Sequence, residues 1–435
     1  MTFEATRRDI LRAGGLVVGG ALVSGAIADA AAAPAFATVG GSLTGLGNYI
    51  SMDPRGAAFT LVRRRSAAPI AVSGHDYPGV VRAVGDLQAD IERVTGVRPA
   101  GFDEKIPPGR DVVIVGTIGH SPLIDDLVAA KKLDVSAVEG RRETSLQQVV
   151  QNPLPGVRTA FVIAGSDQRG TIFGIYDVSR KIGVSPWYWW DDVAATHQDA
   201  LYVLPGSYTQ GTPVVEYRGF FINDENPGLG EWVPGMFGAG KANGYPGGFN
   251  HDFYAKTFEL ALRLKANYVW PAVWGRAFEE DDRQNQATAT AYGIVMGTSH
   301  EAPMMRGIEE WNRHALAAVR DSSGNITTAG HDAYGGTGEG SFVRNAEAIK
   351  AYWADGIKRM VQENAEGVVT LGMRGNGDTA LSDGAGSDLM TSIISTQRQI
   401  LADVTGKDVR TIPQVWTVYK ESCVTGTTDF VRRRT

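Results

Sequence analysis

The residues best suited to chemistry lie in the second half of the chain, each time just after a short apolar run. Phe220–Ile222 stops abruptly at Asn223, Asp224 and Glu225. Tyr268–Trp270 leads to Trp274 and Arg276, and Ile294–Met296 leads to His300 and Glu301. Val368–Leu371 is followed by Arg374, Asn376 and Asp378, and Ile412–Val418 by Lys420 and Glu421. A buried strand that delivers carboxylates at its C-terminal end is how a (β/α)8 barrel assembles an active site. Taken singly, each polar end is equally a turn or a helix cap, with Asp224 capping whatever follows it. Polar ends on successive strands favour the barrel, because a doubly wound sheet gathers its chemistry at one switch point.

Other motifs can be set aside. Gly235-Met236-Phe237-Gly238-Ala239-Gly240-Lys241 imitates a phosphate-binding loop, but Ala242 stands where Ser or Thr would hold magnesium. No strand precedes it, and Asn243-Gly244-Tyr245-Pro246-Gly247-Gly248 cannot continue as a helix, so the stretch reads as a flexible loop over the site. Gly372, Gly375 and Gly377 have the wrong spacing for a dinucleotide fingerprint. The 7 histidines show no metal-binding spacing, and the single cysteine, Cys423, allows neither an intrachain disulfide nor a thiolate cluster. No metal or other cofactor is called for.

Composition sets the frame for these residues. The 435-residue chain is 43% hydrophobic and 21% charged with a formal charge of −6, values of a cored protein with two or three domains. The acidic balance argues against a nucleic-acid or anionic-membrane binder. At the N-terminus, Arg7 and Arg8 precede an apolar run from Gly14 to Ile27 and the A-x-A-like Ala35-Phe36-Ala37. This is the pattern of a twin-arginine export signal over residues 1–37, so the mature protein is expected to be secreted and free of the membrane.

Two rhythms follow. Residues 38–210 read as a small α/β domain. Its expected strands are Phe59–Val62, Ile70–Val72, Val112–Val115 and Ala160–Ala164, with helices over Val80–Val94, Leu123–Leu133 and Thr171–Lys181. The aromatic cluster Trp187-Tyr188-Trp189-Trp190 is either a platform for sugar rings or interface core. Residues 211–421 alternate the apolar runs above with amphipathic helices near Phe253–Leu264, Ala346–Gln362 and Leu389–Val404, the pattern of parallel βαβ units.

In these stretches the sequence resembles glycoside hydrolase family 115, the xylan α-1,2-glucuronidases. The resemblance is carried by Arg218–Glu225, Phe249–Tyr254, Asn267–Trp274, Gly293–His300, Gly372–Asp378 and Pro413–Glu421, with upstream support from Val162–Thr171 and Trp187–Trp190. It implies a small α/β domain before a (β/α)8 barrel, and inverting removal of (4-O-methyl)glucuronic acid side chains from xylan. One carboxylic acid then protonates the leaving oxygen while a second carboxylate activates water, at a typical separation of about 6.5–9.5 Å. The family's motif positions match Asp224 and Glu421, with the acid and base roles unassigned between them. Arg374 is the candidate for the sugar carboxylate because its planar fork suits paired hydrogen bonds, the alternative being an ion pair with Asp378. Trp274 and His300 are expected as pocket walls, and Glu225 and Asp378 complete the substrate-binding candidates.

Two departures stand out. The family reads Ser-His-x-Glu-Pro after its third barrel strand, whereas this chain has Ser299-His300-Glu301-Ala302-Pro303, so Ala302 occupies the usual glutamate position, with substitution by Glu301 left open. After Glu421, residues 422–435 have no strand or helix period and read as an unstructured tail, as a frameshift or truncation would leave. The expected fold is therefore α/β, with a (β/α)8-type barrel incomplete at about five strands where closure needs eight. The functional readings are a secreted α-glucuronidase, a non-catalytic sugar-binding remnant of one, or a related enzyme directed at arabinogalactan. The partner is a polysaccharide in every case, and a homodimer is compatible with the sequence.

Overall fold

The computed structural model describes residues 47–109, 111–223, 226–383 and 386–417. All of them fall in one compact unit. The export signal, Asp224, Glu225, Glu421 and the C-terminal tail lie outside the described residues.

The first layer is built on a six-stranded sheet in the order Ser207–Gln210, Ser145–Gln151, Thr159–Gly165, Val112–Thr117, Ile70–Val72, Gly101–Phe102. Its centre is parallel; at one side Ser145–Gln151 pairs antiparallel with Thr159–Gly165, and Ser207–Gln210 pairs antiparallel with Ser145–Gln151. Val112–Thr117 and Thr159–Gly165 are buried along their whole length, so both faces are covered. Successive side chains point to opposite faces. Val113, Val115, Phe161 and Ile163 accordingly join the main core with helices Pro78–Thr95 and Gln168–Lys181. Val112, Ile114, Ala160 and Val162 instead pack a second core with Leu123, Ile124 and Leu127 of helix Pro122–Ala129. Helix Gln168–Lys181 starts where Asp167 accepts a hydrogen bond from the Gly170 amide at 2.7 Å, an N-cap that satisfies one of the orphan donors of the first turn.

The second layer is an all-parallel sheet whose strand order follows the chain. Gly219–Phe221 pairs with Tyr268–Trp270, which pairs with Val295–Met296. A parallel bridge from Met296 to Gly367 continues to Val369–Leu371, and that strand pairs with Gln414–Trp416. This is the strand succession of a (β/α)8 barrel. The ring is not closed: among the described residues the outer edges of Gly219–Phe221 and Gln414–Trp416 have no partner strand. Phe220 and Phe221 are each 37% exposed, as expected where no further strand covers them. Between strands lie helices His251–Arg263, Gln284–Tyr292, Ala346–Gln362 and Ser387–Thr405. An insertion before Ala346–Gln362 carries helix Ile308–His314 and the hairpin Val319–Arg320/Ile326–Thr328.

Two buried ionic clusters hold the layers together. Glu143, 1% exposed, accepts hydrogen bonds from Arg169 (2.8 Å), Arg218 (2.7 Å) and Asn267 (2.6 Å). Arg218 and Asn267 directly precede the first two parallel strands, so one carboxylate of the first layer fixes where both begin. In the second cluster, Asp90 pairs with Arg263 at 2.7 Å, and Arg263 also binds Glu259 at 2.8 Å. The Trp187–Tyr188–Trp189–Trp190 cluster serves this junction. Trp189 and Trp190 pack against Phe237, Trp232 and Phe253, and only Trp187 is exposed.

Candidate active site

Each strand of the parallel sheet ends in a loop on the same side of the layer, because parallel strands share a direction. The first strand delivers Asn223 there. From the second come Trp274 and Arg276. Trp274 is 38% exposed, whereas Arg276 is buried and donates to the backbone oxygens of Trp274 (2.6 Å) and Gly230 (2.7 Å). Arg276 therefore ties the second strand end to helix Gly228–Phe237, and its guanidinium lies over the Phe249 ring.

The third and fourth strand ends meet. The Asp378 carboxylate accepts from Arg374 Nη2 at 2.9 Å and pairs with His300 Nε2 at 3.0 Å. Arg374 Nη2 also donates to the Asp378 carbonyl at 2.9 Å, and the Asp378 amide donates to Glu301 Oε1. Asp378 sits at φ +59°, a left-handed conformation that Asp tolerates better than most residues. Arg374 and Glu301 are both buried, 8% and 4% exposed. Four of the residues singled out in the sequence thus form one hydrogen-bonded cluster. The ion pair between Arg374 and Asp378 foreseen as an alternative is made, and Glu301 is committed to the Asp378 backbone. Ala302 is buried and helps line a small pocket of about 30 Å³.

Gln397 escaped the sequence reading. Fully buried in helix Ser387–Thr405, its amide nitrogen donates to the Gly372 carbonyl and its amide oxygen accepts from the Gly372 N–H, both at 2.7 Å. Gly372 sits at φ +94°, where a side chain would be strained and a Cβ would come within 3.0 Å of Trp416. Gln397 therefore clamps the turn that launches Arg374 and Asp378. A signal was present: Gln397 occupies the position between Ile393 and Leu401 at helical spacing, where the pattern calls for an apolar residue.

The phosphate-loop lookalike is accounted for as well. The amides of Lys241 and Ala242 both donate to the Asp281 carbonyl, and the Gly240 amide donates to Pro246. Those N–H groups are spent within the protein, and the loop borders a groove. Among the described residues no group of three His, Cys, Asp or Glu side chains could hold a metal ion, and no helix is long and apolar enough to cross a membrane.

Comparison with known proteins gives this cluster a context. The model of the Glycosyl hydrolase family 115 matches residues 210–428, half of the chain and all five parallel strands. The chain belongs to glycoside hydrolase family 115. A solved family 115 4-O-methyl-α-glucuronidase with specificity for decorated arabinogalactans is 29% identical, with a TM-score of 0.67 over 85% of this chain. The family 115 chain described here spans only 44% of that enzyme's length. Streptomyces plicatus β-hexosaminidase (12% identity, TM-score 0.44, covering 81% of this chain and 62% of that one) also aligns. So does a family 20 exo-β-N-acetylglucosaminidase from Vibrio harveyi (11%, 0.42, 85% and 53%). No curated protein matches.

Proposed function

We propose that this family 115 chain is an exported glycoside hydrolase that removes (4-O-methyl)glucuronic acid side chains from a plant polysaccharide. The observation that carries the reading is the family match across the strands that end in His300, Glu301, Arg374 and Asp378. Asp224 and Glu421 are the proposed carboxylate pair, one protonating the leaving oxygen and the other activating water for inversion. Arg374 is proposed to take the sugar carboxylate by exchanging its Asp378 partner for the ligand. His300 would hold Asp378 in place during the exchange, and Trp274 and Glu225 would border the sugar. Two polymers are in view: xylan, from the sequence motifs, and decorated arabinogalactan, the specificity named for the solved relative. The export reading rests on Arg7, Arg8 and the apolar run behind them.

The test is incubation of the purified full chain with glucuronoxylan, aldouronic acids and glucuronidated arabinogalactan. Release of (4-O-methyl)glucuronic acid with inverted anomeric configuration, abolished by Asp224→Asn or Glu421→Gln, is expected. Binding of these polymers without release by the unaltered chain would instead favour a sugar-binding module.

A further inference from the structure

A groove of about 840 Å³ shares no lining residue with the Arg374–Asp378 cluster. That volume is within the range of about 300–1,000 Å³ typical of ligand sites. The loop Lys241–Tyr245, the segment Glu279–Gln284 and the end of helix Ala346–Gln362 form its walls.

The groove sorts its polar groups into two sets. One set is already engaged within the protein: Glu280 with His314 (2.9 Å), Asp282 with His251 (2.6 Å) and Arg359 with Glu310 (3.0 Å). The other set comprises Lys241, Asn243, Tyr245, Arg283 and Gln284, whose side-chain polar atoms bond to none of the described residues. The Tyr245 ring is fixed beneath by Arg313, 4.0 Å from its centroid, which leaves the phenol as a positioned donor and acceptor. Glu279 borders both this groove and the small pocket lined by residues that follow the second and third strands. Its side chain is 12% exposed, and its nearest cation, Arg359 Nε, stands 3.9 Å away. Burial pushes that carboxyl up to about 7, so near neutral pH it can either donate or accept.

Charge narrows the ligand. Lys241, Arg283 and Arg359 face Glu279, Glu280, Asp282 and Glu363, a near balance that gives no advantage to a polyanion. Two amides, a phenol and a carboxyl with uncommitted hydrogen-bonding capacity suit a ligand dense in hydroxyls. We infer that this groove is a second carbohydrate site, binding a neutral, unbranched stretch of polysaccharide backbone. The choice of carbohydrate rests on the proposed function, whereas the groove is lined by none of His300, Glu301, Arg374 and Asp378. Such a site would anchor the polymer while a decorated unit is presented elsewhere.

Calorimetric titration of the full chain with unsubstituted xylohexaose and with β-1,6-galactohexaose, each with and without saturating glucuronic acid, tests this. At least one neutral oligomer is expected to bind with Kd under about 5 mM, undisturbed by glucuronic acid. The arm that binds identifies the backbone. The surface variant Asn243→Ala/Gln284→Ala should weaken that binding about tenfold and leave the thermal midpoint unchanged, and Tyr245→Phe should weaken it with the ring packing retained. No binding of either oligomer, displacement by glucuronic acid, or less than a threefold change in both variants would overturn the inference. Neutral oligomer binding in a chain that releases no glucuronic acid would defeat the proposed function and leave this site standing.

Discussion

Glu279 offers a test of the electrostatics that needs no substrate. Its carboxyl is pushed up to about 7 from an ordinary 4.5, chiefly by burial, with Arg359 opposing the rise and Glu363 and Glu310 adding to it. The folded protein then holds the proton more tightly than the unfolded chain does. The stabilisation from that proton is fully present below about 4.5 and is lost as pH rises through about 7. At about 1.36 kcal/mol per pH unit, the interval bounds the loss near ~3 kcal/mol. Glu279→Gln keeps the shape and removes the ionisation. Its unfolding free energy should match that of the parent at pH 4 and exceed it by about 1–3 kcal/mol at pH 8. Urea denaturation at both pH values and equal ionic strength reads this directly. Asp281, whose carboxyl is also raised by burial, titrates in both proteins and cancels in the difference, whereas repulsion from the Glu363 carboxylate is part of what the substitution relieves at pH 8. A gap equal at the two pH values, or a variant weaker at pH 8, would refute the account of Glu279 as a buried carboxyl that resists ionisation.

Further expectations follow from the other buried contacts. Glu143→Ala leaves Arg169 and Arg218 without their shared carboxylate and should destabilise by about 3–5 kcal/mol, seen as a lower urea midpoint; an unchanged midpoint would mean the layers do not depend on this junction. Gln397→Leu strands the Gly372 N–H and carbonyl and should cost about 1–3 kcal/mol, while loosening the Arg374 loop to hydrogen exchange. Arg374→Lys should lose most glucuronic acid affinity in calorimetry despite keeping the charge, because an ammonium cannot make the planar paired contact. If the lysine variant binds like the parent, Arg374 is only the structural partner of Asp378.

The sequence by itself determined the parallel strands and their order. Phe220–Ile222, Tyr268–Trp270, Ile294–Met296, Val368–Leu371 and Ile412–Val418 are apolar runs bounded by polar turns, and the structure places strands within them to within a residue or two, save at the end of the last. Helices such as Ala346–Gln362 were legible because an amphipathic period is written locally. Strands Ser145–Gln151 and Ser207–Gln210 were not, since glutamine and serine at a sheet margin carry little hydrophobic signal. The hairpin in the insertion before Ala346 was hidden because its strands are only two and three residues long, too short to show an alternating period.

The site divides in the same way. The types His300, Glu301, Arg374 and Asp378 announced chemistry at strand ends. Only the tertiary structure decided that Asp378 is the hub on which the other three converge, that Glu301 serves a backbone amide, and that Gln397 holds the turn beneath them. Strand and helix periods are properties of neighbouring residues, readable along the chain. Pairings between residues 25 to 78 positions apart depend on how the layers close, and the local sequence carries no record of that.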